Sequence, residues 1–332
     1  IKDKTMKKTL LFLSLMTTLT LVKTSAHATQ AQQMQSNYIQ SNYAKTKYPI
    51  VFAHGMVGFI RLGTESLGMD YWYQILPDLA RNGANTWAAR MSPFNSSEVR
   101  GEQYVQQLEE IMAITGAKKL NLIGHSHGEN SVRYAAGVIP EQVASVMTVA
   151  GANKGTIIAS DVLKLANSTG TSELLNVLIS NFGKVIMWAQ GLNANTFPHN
   201  AMAAGLSTSI EGTAIFNQKF PLGLPKTDCG EGAYEENGMK LYSMTGNKPF
   251  TNALDPGDYV MSLMAKLSVN KAGQNDGIVP VCSAHFGKTI RDNYPWNHLD
   301  EVNLLFGIKG LFAPDPVASY RQHANRLKLQ GL

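Results

Sequence analysis

Charge and cysteine are both scarce in these 332 residues: 16% are Asp, Glu, Lys or Arg, and there are two cysteines. So few cysteines exclude a disulfide-built miniprotein, and the absence of any Cys-x-x-Cys or His-x-x-x-His pair argues against a zinc-type site. Internal repeats and low-complexity runs are also lacking, which sets aside solenoids and biased tails. A net basic excess is missing from most of the chain, because residues 1–28 hold +4 of the net +5. The remaining surface is therefore not a nucleic-acid surface.

What the chain does have is apolar content, 44% of its residues, enough for the large core of a single α/β domain spanning 29–332. Met6-Lys7-Lys8, the apolar run Leu10 to Val22 and Ala26-His27-Ala28 together predict a secretory signal peptide cleaved near Ala28, with residues 1–5 lying upstream of the true start. The run is too short to cross a bilayer comfortably, so no stable membrane anchor is expected. In an exported chain the even pair Cys229 and Cys282 reads as a disulfide, which in the chain-entropy model stabilises the fold by about 4 kcal/mol.

The chemistry centres on Gly124-His125-Ser126-His127-Gly128. Leu120, Leu122 and Ile123 suit a short buried strand and Ser131 to Ala136 a helix, so the pentapeptide falls at a strand-to-helix turn. That is the context of a nucleophile elbow, in which Ser126 is held in a strained turn with helix N–H groups beside it. Upstream, the apolar strand Tyr48 to Ala53 runs into His54-Gly55-Met56-Val57-Gly58. The backbone N–H groups of Met56 and His127 are the expected oxyanion donors.

Periodicity predicts a helix over Tyr71 to Ala80 interrupted by Pro77, a strand over Thr86 to Met91, a long helix over Ser97 to Ile114 and a strand over Val143 to Val149. Strand and helix alternate, so the sheet is expected to be parallel with helices on both faces, and ligands should gather beyond the strands' carboxyl ends. From Ser172 to Trp188 apolar residues repeat at helical spacing, with Gly170, Gly183 and Gly191 as candidate hinges. A packed amphipathic helix and a mobile lid over about 169–192 both fit that pattern. Residues 29–47 are read as a flexible lead-in, 193–238 as loops and Lys240 to Met244 as a strand.

An elbow serine needs a base and an orienting acid further along the chain. Asp276, in Asn275-Asp276-Gly277, sits in a tight loop beside Ile278-Val279. The base is one of His285, His298 and His323. His298, in the loop Trp296-Asn297-His298-Leu299-Asp300, ranks first, because His323 falls in the amphipathic stretch Val317 to Leu327 and His285 follows too closely on Asp276. Such a triad performs acyl transfer through an acyl-enzyme.

Taken together, these motifs resemble the secreted, foldase-dependent bacterial lipases of the Pseudomonas and Burkholderia type. The matching stretches are Tyr48 to Met56, Ser97 to Gln103, Leu122 to Gly128, Gln274 to Gly277, Trp296 to Asn303 and Tyr320 to Lys328. The resemblance implies an α/β-hydrolase fold with a mostly parallel central sheet and a helical lid, and a triacylglycerol lipase working at a lipid–water interface. It implies Ser126, Asp276 and His298 as the triad and pairing of Cys229 with Cys282. It also implies a lipase-specific foldase as folding partner in the periplasm, and one structural Ca²⁺. The calcium ligands would map to Asp300, Asp255 and the carbonyls of Leu304 and Ile308, with Asp258 competing as second carboxylate; oxygen-only ligation suits that ion. Two departures stand out. Glu129 and Asn130 replace the usual Gly and Pro after the elbow, putting a carboxylate beside the expected oxyanion site, and Asn153-Lys154-Gly155 is one residue short of the family's Pro-His-Lys-Gly. An esterase or polyester depolymerase on the same scaffold, or a catalytically dead binding module, are the rival readings.

Overall fold

The computed structural model describes residues 31–64 and 67–332, with the backbone alone for 267–272. The expected signal peptide lies outside the described residues. The chain runs β1 (Gln32–Met34), β2 (Ile50–Ala53), β3 (Arg61–Gly63), β4 (Gly68–Asp70), α1 (Ile75–Arg81), β5 (Thr86–Ala89), α2 (Ser97–Thr115), β6 (Leu120–His125), α3 (Gly128–Val138) and β7 (Val143–Val149). There follow α4 (Ile157–Ser168), α5 (Ser172–Ala189), α6 (Ala201–Thr208), α7 (Ile210–Lys219), β8 (Glu235–Glu236), β9 (Met239–Gly246), α8 (Pro256–Ala272), α9 (Val281–Ala284), β10 (Lys288–Tyr294) and α10 (Pro316–Leu329).

The main sheet has the order β1-β5-β2-β6-β7-β9-β10. Its five pairings from β5 to β10 are parallel; β1 joins β5 and β8 joins β9 antiparallel. Strands β2, β6 and β7 are buried along their whole length, so they are mainly apolar on both faces, and the polar residues within them find partners inside, as Ser145 Oγ does in donating to Asn121 Oδ1 at 2.7 Å. Alternate residues nevertheless sort to two cores. Phe52, Ile123, Met147 and Tyr242 join the core containing Ile75, Leu79 and Leu327, whereas Val51, Leu122, Val146 and Leu241 join that containing Leu108, Ile111 and Val132. Helices α1 and α10 thus cover one face and α2 and α3 the other, as the strand–helix alternation requires.

Four expectations need correction. The predicted helix from Tyr71 starts only at Ile75, and Pro77 falls in its first turn, where its missing N–H costs no bond, so it does not interrupt the helix. Gln32–Met34 in the supposed lead-in pairs with β5. The stretch 193–238 is not all loop, since Asn200 and Ser209 cap α6 and α7 through bonds from Ala203 N–H (2.9 Å) and Gly212 N–H (3.0 Å). These caps were legible as residue types, but the helices are short and gain stability by packing on α4, α5 and one another. Finally, Gly183 lies inside an unbroken α5 with its Cα against the His199 ring, so of the three candidate hinges only Gly170 and Gly191 flank the helix in an open, positive-φ conformation.

Candidate active site

Ser126 leaves the carboxyl end of β6 with φ of 53°, and its N–H donates to Val149 O at 3.0 Å. The turn closes because its two flanking positions lack side chains: a Cβ on Gly124 would stand 2.4 Å from Gly128 O, and one on Gly128 2.2 Å from Ala53 O. Any larger residue at either place would push the elbow off its neighbouring strand and helix.

Downstream, the Asp276 and His298 loops meet. His298 Nδ1 lies 2.7 Å from Asp276 Oδ2, and the His298 N–H donates to the Asp276 carbonyl at 2.9 Å. The other carboxylate oxygen of Asp276 accepts the N–H groups of Ile278 (2.8 Å) and Val279 (2.7 Å), which fixes the carboxylate in a fully buried position. The Nδ1–H of His298 is thereby committed to Asp276, leaving Nε2 as the acceptor. His298 and Ser126 line one cavity of about 470 Å³. The other two histidines are elsewhere: His285 pairs with Asp292 and with Gly230 O, and His323 packs edge-on against Tyr242.

Among the described residues, neither the Met56 nor the His127 N–H donates to a protein acceptor. Two unspent amides near an elbow serine are what an oxyanion requires. Their loop is held from beneath. The Met91 N–H donates to His54 Nε2 at 3.1 Å, so the ring proton sits on Nδ1 and faces Gly55 O at 2.9 Å. Burial first, then Arg100, push the His54 pKa down to about 3, so this ring stays neutral. Arg100, fully buried, donates to the carbonyls of Ser92, His54 (2.5 Å) and Gly55 (3.3 Å).

Sequence reasoning missed a second set of residues joining these loops. Gly55 N–H donates to Tyr71 OH at 3.0 Å, Tyr71 OH lies 2.7 Å from His125 Nδ1, and His125 Nε2 lies 3.1 Å from His298 O. His125 is buried and its pKa is driven well down, by burial first and then by the charge of His298. Glu301, also buried, accepts from Gly246 N–H and Thr245 Oγ1 and places its other oxygen 3.7 Å from His125 Nε2. Burial and the Asp276 carboxylate hold the Glu301 pKa well above the ordinary carboxylate range. No local pattern marks Tyr71 or Glu301; only His125, beside the serine, carried a signal.

The two departures resolve simply. Glu129 is turned along α3 toward Arg133, 3.3 Å away and one turn on, so its carboxylate is directed away from the helix N-terminus. Arg133 in turn donates to Asn217 Oδ1 (2.7 Å) and Phe220 O (2.6 Å), tying α7 to the elbow helix. The shortened loop is held by Asn153 Nδ2, which donates to Ala284 O at 3.2 Å, and by Lys154 Nζ, which donates to Thr227 O at 2.7 Å.

The cavity walls are almost entirely apolar. Leu175 and Ile179 of α5 line it together with Ile158 and Leu163 of α4 and Met202 of α6. Beside and away from these residues, α5 exposes Leu174, Leu178, Phe182 and Trp188, with the Phe182 ring packed 6.5 Å from that of Phe94.

Asp255, Asp258 and Asp300 bring carboxylate oxygens within 4.8 Å of one another, all buried, and none forms an ion pair among the described residues. Asp258 spends both oxygens on amides, accepting from Thr251 and Asn252 N–H and from Asn297 Nδ2 at 2.5 Å. Asp300 Oδ1 has no partner at all. An orphaned carboxylate oxygen beside further buried carboxylates fits an oxygen-coordinated divalent cation better than it fits a protein interior without one. The donor set favours Asp255 and Asp300 as ligands, with Asp258 organising the loops. Cys229 and Cys282 are joined as a disulfide across 53 residues, just after the Asp276 loop.

A mostly parallel sheet with an elbow serine at a strand's carboxyl edge and a histidine–aspartate pair from later loops places the molecule among the α/β hydrolases, and residues 48–179 match the family model described as alpha/beta hydrolase fold. A lipase from Bacillus licheniformis shares that fold, with a TM-score of 0.54 at 18% identity over 83% of this chain and 95% of that one. In sequence, the chain is 45% identical to a triacylglycerol lipase of Vibrio cholerae, covering 97% of this chain and 98% of that protein. It is 36% identical to one of Burkholderia plantarii, covering 86% and 87%. The chain belongs to the bacterial triacylglycerol lipases.

Proposed function

We propose that this protein hydrolyses long-chain triacylglycerols at a lipid–water interface, with Ser126, His298 and Asp276 as its triad. The observation that carries the reading is the joint exposure of Ser126 and an Asp276-held His298 to one apolar cavity. His298 Nε2 takes the Ser126 hydroxyl proton as the oxygen attacks the ester carbonyl, and Asp276 stabilises the resulting imidazolium. The Met56 and His127 N–H groups take the oxyanion. The imidazolium then protonates the departing diacylglycerol oxygen, and water activated by the same ring releases the fatty acid from Ser126.

Helix α5, within the segment 169–192, acts as a lid: its inner side covers the cavity, and its exposed apolar side turns to lipid on opening. Asp255 and Asp300, with the carbonyls of Leu304 and Ile308, would hold one Ca²⁺. When bound, it would supply a fixed positive charge between the loop carrying His298 and the loop before α8, with no part in proton transfer. Export after cleavage near Ala28 and folding with a lipase-specific foldase complete the reading. The test is fluorophosphonate labelling of folded protein beside release of oleate from emulsified triolein. Both should be present in the native chain and absent from Ser126→Ala; failure of the native chain to label would end the proposal.

A further inference from the structure

The most exposed large apolar side chains do not belong to the lid. Phe312 and Leu311 are 98% and 90% exposed, the highest values among the described residues, and Leu254 is 84% exposed, with Phe306, Tyr259 and Phe250 exposed nearby; Leu67, at 85%, lies apart beside β4. The two loops that carry them are in contact. The Phe250 and Tyr259 rings meet edge-on at 5.4 Å, Asn252 Nδ2 donates to Lys309 O at 2.8 Å, and Gly310 packs over Thr251. The loop 247–255 follows β9 and the loop 295–315 follows β10, so both leave the sheet at the carboxyl edge from which Ser126 leaves β6. At the base of the second loop, Leu299, Val302 and Leu304 line the cavity itself. The loop that carries the Leu311–Phe312 tip thus begins at the cavity wall.

The composition of the two loops is equally selective. Between Val302 and Pro314, and between Asn247 and Leu254, there is no Asp or Glu; Lys309 and Lys248 are the only charged residues. Of the nearby acids, Asp255, Asp258, Asp300 and Glu301 are buried, and Asp315, where the second loop ends, is exposed. Apolar tips with lysines beside them and a single exposed carboxylate, Asp315, at the edge suit the boundary of a lipid phase, with rings and aliphatic chains among acyl groups and ammonium groups at the level of the ester and phosphate oxygens. No helix among the described residues is long and apolar enough to cross a membrane, so this contact is with one face of a lipid surface.

We propose that the Leu311–Phe312 tip, with Leu254, is a lid-independent anchor that seats the cavity mouth on a lipid surface. The proposal rests on the lipase reading but concerns docking rather than chemistry. It is tested with the full-length folded enzyme carrying L311S and F312S, two exposed loop positions outside the triad and the cavity. Partition onto triolein droplets coated with phosphatidylcholine should weaken about tenfold or more. The apparent KM on those droplets should rise in step, with kcat on dissolved p-nitrophenyl butyrate and fluorophosphonate labelling unchanged. In a separate F312W variant, the added tryptophan emission should be quenched by vesicles of brominated phosphatidylcholine.

Unaltered droplet partition, or an F312W signal indifferent to brominated lipid, overturns the anchor. So does a variant whose assisted folding yield drops while the folded product partitions like wild type, since the patch would then serve a protein partner. Absence of labelling in the wild type would instead overturn the lipase reading, and droplet partition would still decide the anchor on its own.

Discussion

The phenol of Tyr71 joins two backbone segments that the sequence keeps apart: its oxygen accepts the Gly55 N–H at 3.0 Å and lies 2.7 Å from Nδ1 of His125. With Nδ1 accepting from Tyr71, His125 must carry its proton on Nε2 and donate it to the His298 carbonyl at 3.1 Å. One relay therefore sets the oxyanion strand, the elbow and the histidine loop against each other. Removing the hydroxyl in Tyr71→Phe should lower kcat roughly tenfold through misplacement, with KM on a dissolved ester little changed. Stability should fall by about 1–2 kcal/mol from the unsatisfied buried partners. Steady-state kinetics with urea denaturation would check both; an unchanged kcat would make the relay merely structural.

Asp276→Asn separates orientation from charge. The amide oxygen can keep the Ile278 and Val279 N–H bonds, but the NH₂ then faces His298 Nδ1 and selects the wrong tautomer. Ester hydrolysis should fall on the order of 10³–10⁴-fold while the melting temperature changes little. A loss of less than tenfold would mean that another group orients the imidazole.

Burial and the neighbouring carboxylates Asp258 and Asp255 push the Asp300 carboxyl up to about 7, the behaviour of a site whose charge wants a cation. Prolonged chelation should lower both the melting temperature and the activity, and Ca²⁺ should restore them where Mg²⁺, which prefers a smaller octahedral shell, does not. Asp300→Asn and Asp255→Asn should lose calorimetrically measured Ca²⁺ binding. Asp258→Asn should retain binding and lose stability, because both oxygens of Asp258 are spent on amides. Equal loss of binding in all three would make Asp258 a ligand.

Glu129 gives the pH prediction. Burial, only partly offset by Arg133, raises its folded pKa to about 7, above the ordinary value of 4.5. The unfolded chain therefore releases this proton first as pH rises, and the stability associated with the protonated carboxyl is complete below about pH 4.5 and lost as pH climbs through 7. Glu129→Gln should match wild type near pH 4.5 and become relatively more stable by pH 8, by on the order of 1–3 kcal/mol. Urea unfolding at the two pH values measures this. A difference independent of pH would show that Glu129 stays ionised beside Arg133.

Much of the site was legible as local pattern, since an elbow needs Gly124 and Gly128 beside its serine and an oxyanion strand needs a small residue at its end. These are backbone requirements, and sequence records them directly. Asp276 and His298 were reachable because each lies in a short loop of a restrictive kind. Tyr71, Arg100 and Glu301 were not, for nothing within several residues of any of them distinguishes a loop-bracing polar group from an ordinary buried one. The edge strand Lys288–Tyr294 and helix α4 escaped for a related reason: their residues alternate weakly, and neighbouring elements rather than intrinsic preference hold them in place.

By itself the sequence determined the parallel sheet, the elbow and the separation of serine, aspartate and histidine along the chain, because periodicity and tight-turn sterics act over a few residues. Only the tertiary structure decided which histidine meets Asp276, which aspartates converge and which apolar loops come together at the carboxyl edge of the sheet. Those outcomes depend on separate loops brought to one place by packing, as Asp276 and His298 are across 22 residues, and no local pattern of residues encodes a distance across the fold.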